Sequence, residues 1–164
     1  MKMELIQPFI NAADAVLAQT LHAPTTIGEV SMEEEAYRRK GVAAVIKVAG
    51  DIEGRVIFDL EPSTAESVAV KLVGDETAAR EIIPEAICEL ANQVIGNAVT
   101  VLNDQGFHFK VLPPEIHTAE RGAQNTEDTE ALVMCFETVS GEVYMNIAMR
   151  YNKRRKADGG VAAD

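Results

Sequence analysis

The stretch EAICELANQVIGNAVTVL, Glu85 to Leu102, decides the fold. At about 100° per residue, Ile83, Ile87, Leu90, Ala91, Val94, Ala98, Val101 and Leu102 fall on one side. That stripe predicts a long amphipathic helix, from about Glu81 to Asn103, with its apolar face against a core. The opposite side is unusual. Glu85, Glu89, Asn92, Gly96 and Asn103 lie within about 40° of the outward direction. Asn and Gly are poor helix formers, and a mid-helix Gly costs roughly 1 kcal/mol against Ala. A helix that needed only solubility would carry Lys, Glu or Gln there. Gly96 removes a side chain one turn after Asn92, so a carboxylate and a carboxamide stand at the edge of a clearing. Such a surface suits close approach by another protein. The alternative is that Gly96 merely lets another helix of the same fold pack closely.

The flanking segments predict what this helix packs on. Leu5, Ile6, Phe9, Ala13, Val16, Leu17 and Leu21 recur at helical spacing and predict a first long helix. The opening MKMELIQPFINAADAVL thus reads as an amphipathic helix and not as a signal peptide. TTIGEVSMEE holds a short alternating strand. GVAAVIKVAG and EGRVIFDL form a hairpin around Gly50 to Glu53, with a loop of about four or five residues. EPSTAESVAVKLVG is helical, with Gly74 as its C-cap. GFHFKVL is a strand, Pro113 and Pro114 interrupt, and EIHTAE is a short strand or loop. RGAQNTEDTE is a polar turn region. EALVMCFETV and EVYMNIAMRY form a second hairpin around Ser140 and Gly141. The expected fold class is α+β: a mostly antiparallel β-sheet with two long helices packed on it. Residues 1–151 are expected to form one domain, and residues 152–164 a disordered polar tail.

Composition excludes several functions. The chain has 164 residues, 47% of them hydrophobic, which is enough for a real core. No run approaches the roughly 18 apolar residues of a membrane span. A formal net charge of −11 argues against nucleic acid and against an anionic membrane surface. The basic cluster Lys153 to Lys156 reads as part of the solvated tail. Glu33 to Glu35 and Arg38 to Lys40 read as a solvated turn. The two cysteines, Cys88 and Cys135, read as reduced core thiols of a cytoplasmic protein. His22, His108 and His117 are scattered without metal-ligand spacing, so no metal site is expected. Met134, Met145 and Met149 read as core fillers.

The chemistry open to Glu89 and Asn92 is narrow. An amide is no general base near neutral pH. It can hold a water in line with a phosphorus atom, and phosphoryl transfer depends mainly on positioning and charge neutralisation. The Glu can pair with a partner's Lys and fix the docking register.

The run SVAVKLVGDETAAREIIPEAICELANQVIGNAVTVL resembles the core of the CheX/CheC/FliY family of response-regulator phosphatases. The family's mark is E-x-x-N on a long exposed helix, matched here by Glu89 and Asn92. Gly96-Asn97 is a pair common in the CheX branch, and Pro113 or Pro114 supplies the later proline. LIQPFINAADAVLAQTL and GDIEGRVIFDL resemble the branch's first helix and first hairpin. Glu85 stands where the family usually has Asp or Ser, and the proline spacing differs slightly. The first helix has no second E-x-x-N, which resembles the single-site CheX branch.

The resemblance implies a phosphatase acting on the phosphoaspartate of a CheY-like response regulator. Asn92 would orient the attacking water and Glu89 would dock on the regulator's active-site Lys. Glu85 and Gly96 would belong to the partner-binding surface. It implies no cofactor bound by this chain, since the phosphorylated regulator supplies Mg²⁺. It also leaves a homodimer open to the chain. The competing expectations are a receiver-binding or flagellar-switch-like module without hydrolysis, and an oligomerisation domain in which Gly96 is only a packing contact.

Overall fold

A computed structural model describes residues 2–34, 38–118 and 130–152. The elements are α1 (Met3–Leu21), β1 (Thr26–Glu33), β2 (Val42–Gly50), β3 (Ile52–Leu60), α2 (Pro62–Val73), α3 (Glu76–Glu81), α4 (Ile83–Asp104), β4 (Phe109–Val111), β5 (Glu115–His117), β6 (Ala131–Thr138) and β7 (Gly141–Tyr151). The strands form one sheet in the order β1-β6-β7-β3-β2-β4, with β5 also pairing β2. Every pairing is antiparallel. The expected class is therefore the observed one: an antiparallel sheet carrying two long helices.

Strand alternation places the core. On β3, Val56, Phe58 and Leu60 point to the helix side; on β7, Val143, Met145, Ile147 and Met149 do the same. Against them α1 buries Leu5, Ile6, Phe9, Ala13, Val16, Leu17 and Leu21, the full set that periodicity names. From α4 come Ile87, Leu90, Ala91, Val94, Ala98 and Leu102, each fully buried. Burying one such Leu, Ile or Val contributes about 1.5–3 kcal/mol, so this face anchors α4 firmly. The opposite sheet face has a small cluster of Ala43, Val45 and Ile57. Beside it, Arg55 Nη1 donates to Asn146 Oδ1 at 2.8 Å. The buried Asp59 carboxylate accepts the backbone N–H groups of Lys40 and Gly41 at 2.5 and 3.0 Å.

The ends of α4 follow from local chemistry. Pro84 lies in the first turn, where its missing N–H costs nothing. At the other end Gly106 has φ 98. Its N–H donates to Asn103 O at 2.9 Å, and Phe107 N–H donates to Leu102 O at 3.1 Å. This is the Schellman arrangement, which needs a residue at ease in the left-handed region.

Several local expectations are corrected. The long helix begins at Ile83 and not near Glu81, because a separate short helix, α3, precedes it. Asp75 caps α3 by accepting Ala78 N–H at 3.0 Å. The first hairpin agrees with expectation: the last mutual pair of β2 and β3 is Val48 with Gly54, leaving five residues between them. Those residues are still mostly extended, since Gly50 pairs with Phe109 and Ile52 with Tyr151. The second hairpin closes at Thr138 and Gly141, so its two-residue turn is Val139-Ser140. Val101, expected on the buried face, is 44% exposed. It lines a groove of about 450 Å³ between α1 and α4, with Gln7, Asn11, Asn97 and Gln105 also on its walls. The polar turn at residues 121–130 lies almost wholly outside the described residues, as does the tail from residue 153.

Candidate functional site

The outward strip of α4 is where periodicity predicts it. Glu85, Glu89, Asn92 and Gly96 are all exposed, on the side away from the sheet. With 3.6 residues per turn, the four occupy successive turns of one helix flank. The rigid apolar face behind them fixes where they point.

Each position has its own environment. The Asn92 carboxamide has no hydrogen-bond partner among the described residues. Glu89 Oε2 accepts a bond from Gln93 Nε2 at 3.2 Å, one turn further on. A Cβ added at Gly96 would meet nothing within 4 Å. The Gly96 carbonyl accepts the Thr100 hydroxyl at 3.0 Å. Among the described residues no element approaches Gly96, which removes the packing explanation for them. What remains is a clearing on an exposed helix, flanked by a free carboxamide and a carboxylate. Gln93 was not singled out from sequence, although its spacing from Glu89 was a usable signal.

The other candidate groups sit elsewhere. Cys88 is half-buried, not a core thiol. Cys135 is buried; burial, then the Glu142 and Glu137 carboxylates, push its thiol up to about 11. It is protonated at neutral pH and a poor nucleophile. His22 caps α1 in a left-handed conformation. His117 Nε2 lies 3.5 Å from Glu115 on β5. Met134, Met145 and Met149 fill the core. Among the described residues no group of three or more His, Cys, Asp or Glu is placed to hold a metal ion. No helix among them is long and apolar enough to cross a membrane. Pro113 and Pro114 lie in the connection between β4 and β5.

An antiparallel sheet backed by two long helices is a CheC/CheX-like fold. Residues 42–137, well over half of the chain, match the model of the chemotaxis phosphatase CheX family, and the chain belongs to that family. Solved structures agree on the fold. A CheC-like superfamily protein from Shewanella sp. PV-4 is 21% identical with a TM-score of 0.78, covering 92% of this chain and 99% of its own. The chemotaxis protein CheX from Desulfovibrio desulfuricans is 19% identical with a TM-score of 0.74, covering 90% and 99%. A chain of a CheX–CheY–BeF3–Mg²⁺ complex from Borrelia burgdorferi is 29% identical with a TM-score of 0.69, covering 91% and 99%. Comparison with the curated proteins finds no match.

Proposed function

We propose that this protein speeds hydrolysis of the phosphoaspartate of a CheY-like receiver domain. The observation that carries this reading is the Asn92 carboxamide. It is exposed, unpartnered and one turn from Glu89, on a helix anchored by a fully buried face. Family membership supports the activity, and the relative solved with CheY, BeF3 and Mg²⁺ supports the partner.

In this mechanism α4 lies across the receiver's acidic pocket. Glu89 pairs with the receiver's active-site Lys and sets the register. Asn92 enters the pocket and holds one water in line with the phosphorus. That water's oxygen forms the new P–O bond while the bond to the aspartyl oxygen breaks. The Asp leaves as a carboxylate, inorganic phosphate is released, and the water's proton passes to phosphate and solvent. Mg²⁺ held by the receiver would supply positive charge to offset that of the phosphoryl group. This chain adds position: an oriented water converts a loose encounter into a near-attack arrangement. Gly96 leaves room for the receiver's backbone, and Glu85 extends the contact.

The test is the dephosphorylation rate of phosphorylated CheY-like receivers with Mg²⁺ present, comparing wild type with Asn92→Ala. Wild type should accelerate the reaction, and the variant should lose about 100-fold or more. The variant should still bind the BeF3-loaded receiver. Binding by the wild type without acceleration would make the protein a receiver-binding module.

A further inference from the structure

Glu89 has a polar neighbour one turn away in each direction along the helix. One turn before it stands Glu85, of like charge. One turn after it stands Gln93, whose Nε2–H donates to Glu89 Oε2 at 3.2 Å. All three are exposed. The two influences act in one direction. Like charges at this spacing repel, which disfavours Glu89 conformers leaning toward Glu85. Gln93 leans back toward the N-terminus, as helical side chains do, and draws the carboxylate toward itself. Asn92 and Gly96 are also C-terminal to Glu89, with Asn92 on its other flank, about 100° around the helix from Gln93.

The geometry points to Gln93 as a positioning residue that holds the Glu89 carboxylate toward the C-terminal end of α4, away from Glu85, before the receiver docks. The inference rests on the phosphatase reading above. The chemistry of a carboxamide suits the task. It donates a directed bond to Oε2 and leaves Oε1 for a cation, because a carboxylate has about four acceptor sites. It carries no charge, so it orients Glu89 without neutralising it. A Lys here would orient Glu89 equally well but would cancel the charge that meets the receiver's Lys. A Glu sampling several rotamers must lose that freedom on docking, and one already held loses less.

The experiment measures KM and kcat for a phosphorylated receiver with wild type, Gln93→Ala, Gln93→Glu and Gln93→Lys. Gln93→Ala should raise KM roughly twofold with kcat unchanged, the size expected of one helix-surface pair. Gln93→Glu should raise KM about two- to fivefold, because it removes the donor and adds a second repelling carboxylate. Gln93→Lys should raise KM most, while the new Glu–Lys pair leaves the thermal midpoint equal or higher. If the strip worked only through its negative charge, Gln93→Glu would lower KM, and that result would overturn the proposal. Equal losses in kcat, KM and thermal midpoint would reduce Gln93 to a structural residue. A second readout needs no activity. The Gln93 side-chain amide resonances should shift in Glu89→Gln, and unchanged resonances would remove the contact itself. If the wild type fails to accelerate dephosphorylation, the reading of function falls first; a shifted resonance would then leave the contact standing without its role.

Discussion

The two long helices are nearly matched in length and share one core, yet they treat their outward polar groups differently. On α1, Glu4 and Asp14 are bonded to other segments of the chain. Tyr151 OH donates to Glu4, tying the helix start to the end of β7. Gln7 Nε2 donates to Asn11 Oδ1 at 2.9 Å. Thr25 OH donates to Asp14, tying the helix to the entry of β1. On α4 the Asn92 carboxamide is unpartnered, and Gly96 faces open space. The Glu89 contact, like that of Gln7 with Asn11, runs only along its own helix. Committed polar groups report on holding the fold together. Uncommitted ones on an anchored helix, at a cost of about 1 kcal/mol for Gly96 alone, report on something outside it.

The sharpest test removes the same group from both helices. Asn92→Ala and Asn11→Ala each delete one carboxamide from an exposed helix flank. Asn92→Ala should cost about 100-fold or more in receiver dephosphorylation. Asn11→Ala should stay within about twofold, the scale of its single surface bond to Gln7. Single-turnover kinetics with one receiver would show both. Equal losses would erase the distinction between the helices.

A smaller effect is expected at Glu89. If Glu89 docks as proposed, Glu89→Lys sets like charge against the receiver's Lys, and kcat/KM should fall roughly tenfold or more, mostly through KM. The loss should shrink as salt is added, because both groups meet at an exposed surface. A loss confined to kcat would place Glu89 in the chemical step instead of in docking.

On the α1 side the expected effect is on stability alone. Tyr151→Phe removes the hydroxyl bonded to Glu4 and leaves the ring, whose centroid lies 5.9 Å from that of Phe107. Denaturant unfolding should show a loss of about 1 kcal/mol. Activity per folded molecule should not change. A Tyr151→Phe variant that lost activity at full stability would mean that α1 shares in the site.

Much of this was legible in the sequence, for identifiable reasons. Seven of the ten buried residues of α1 were legible because Leu5 to Leu21 repeat at helical spacing; Pro8, Ile10 and Ala12 are buried as well. The strip on α4 was read because Asn and Gly cost a helix stability. Three things were not legible. Helix α3 has only six residues, too few for a periodic signal; its Asp75 cap and the Arg80 pairs with Glu66 and Glu76 hold it. Val101 fits the apolar period, yet it sits in the groove between the helices, and period says nothing about where a neighbouring helix stops covering. Gln93 is an ordinary residue for an exposed helix, so nothing about its type drew notice; only its bond to Glu89 does. Whether Asn92 has a partner, and what stands outside Gly96, depends on every distant segment at once.

The smallest effect is the most diagnostic, since fold and function should answer with opposite signs. At Gly54 the chain itself demands glycine. Its φ is 151, and an added Cβ would collide with the Ala148 carbonyl on the neighbouring strand. At Gly96 nothing among the described residues objects to a methyl group, and Ala is the better helix former. Gly96→Ala should therefore stabilise the protein by somewhat under about 1 kcal/mol in denaturant unfolding. The same methyl group fills part of the clearing beside Asn92, so kcat/KM for the phosphorylated receiver should fall about threefold, a loss of order 0.6 kcal/mol. Stability rising while activity falls would mean that the glycine serves a partner and not the fold. Stability and activity rising together would mean that the receiver's backbone does not pass over Gly96, and the docking surface would then have to lie on the Glu85 side of Asn92.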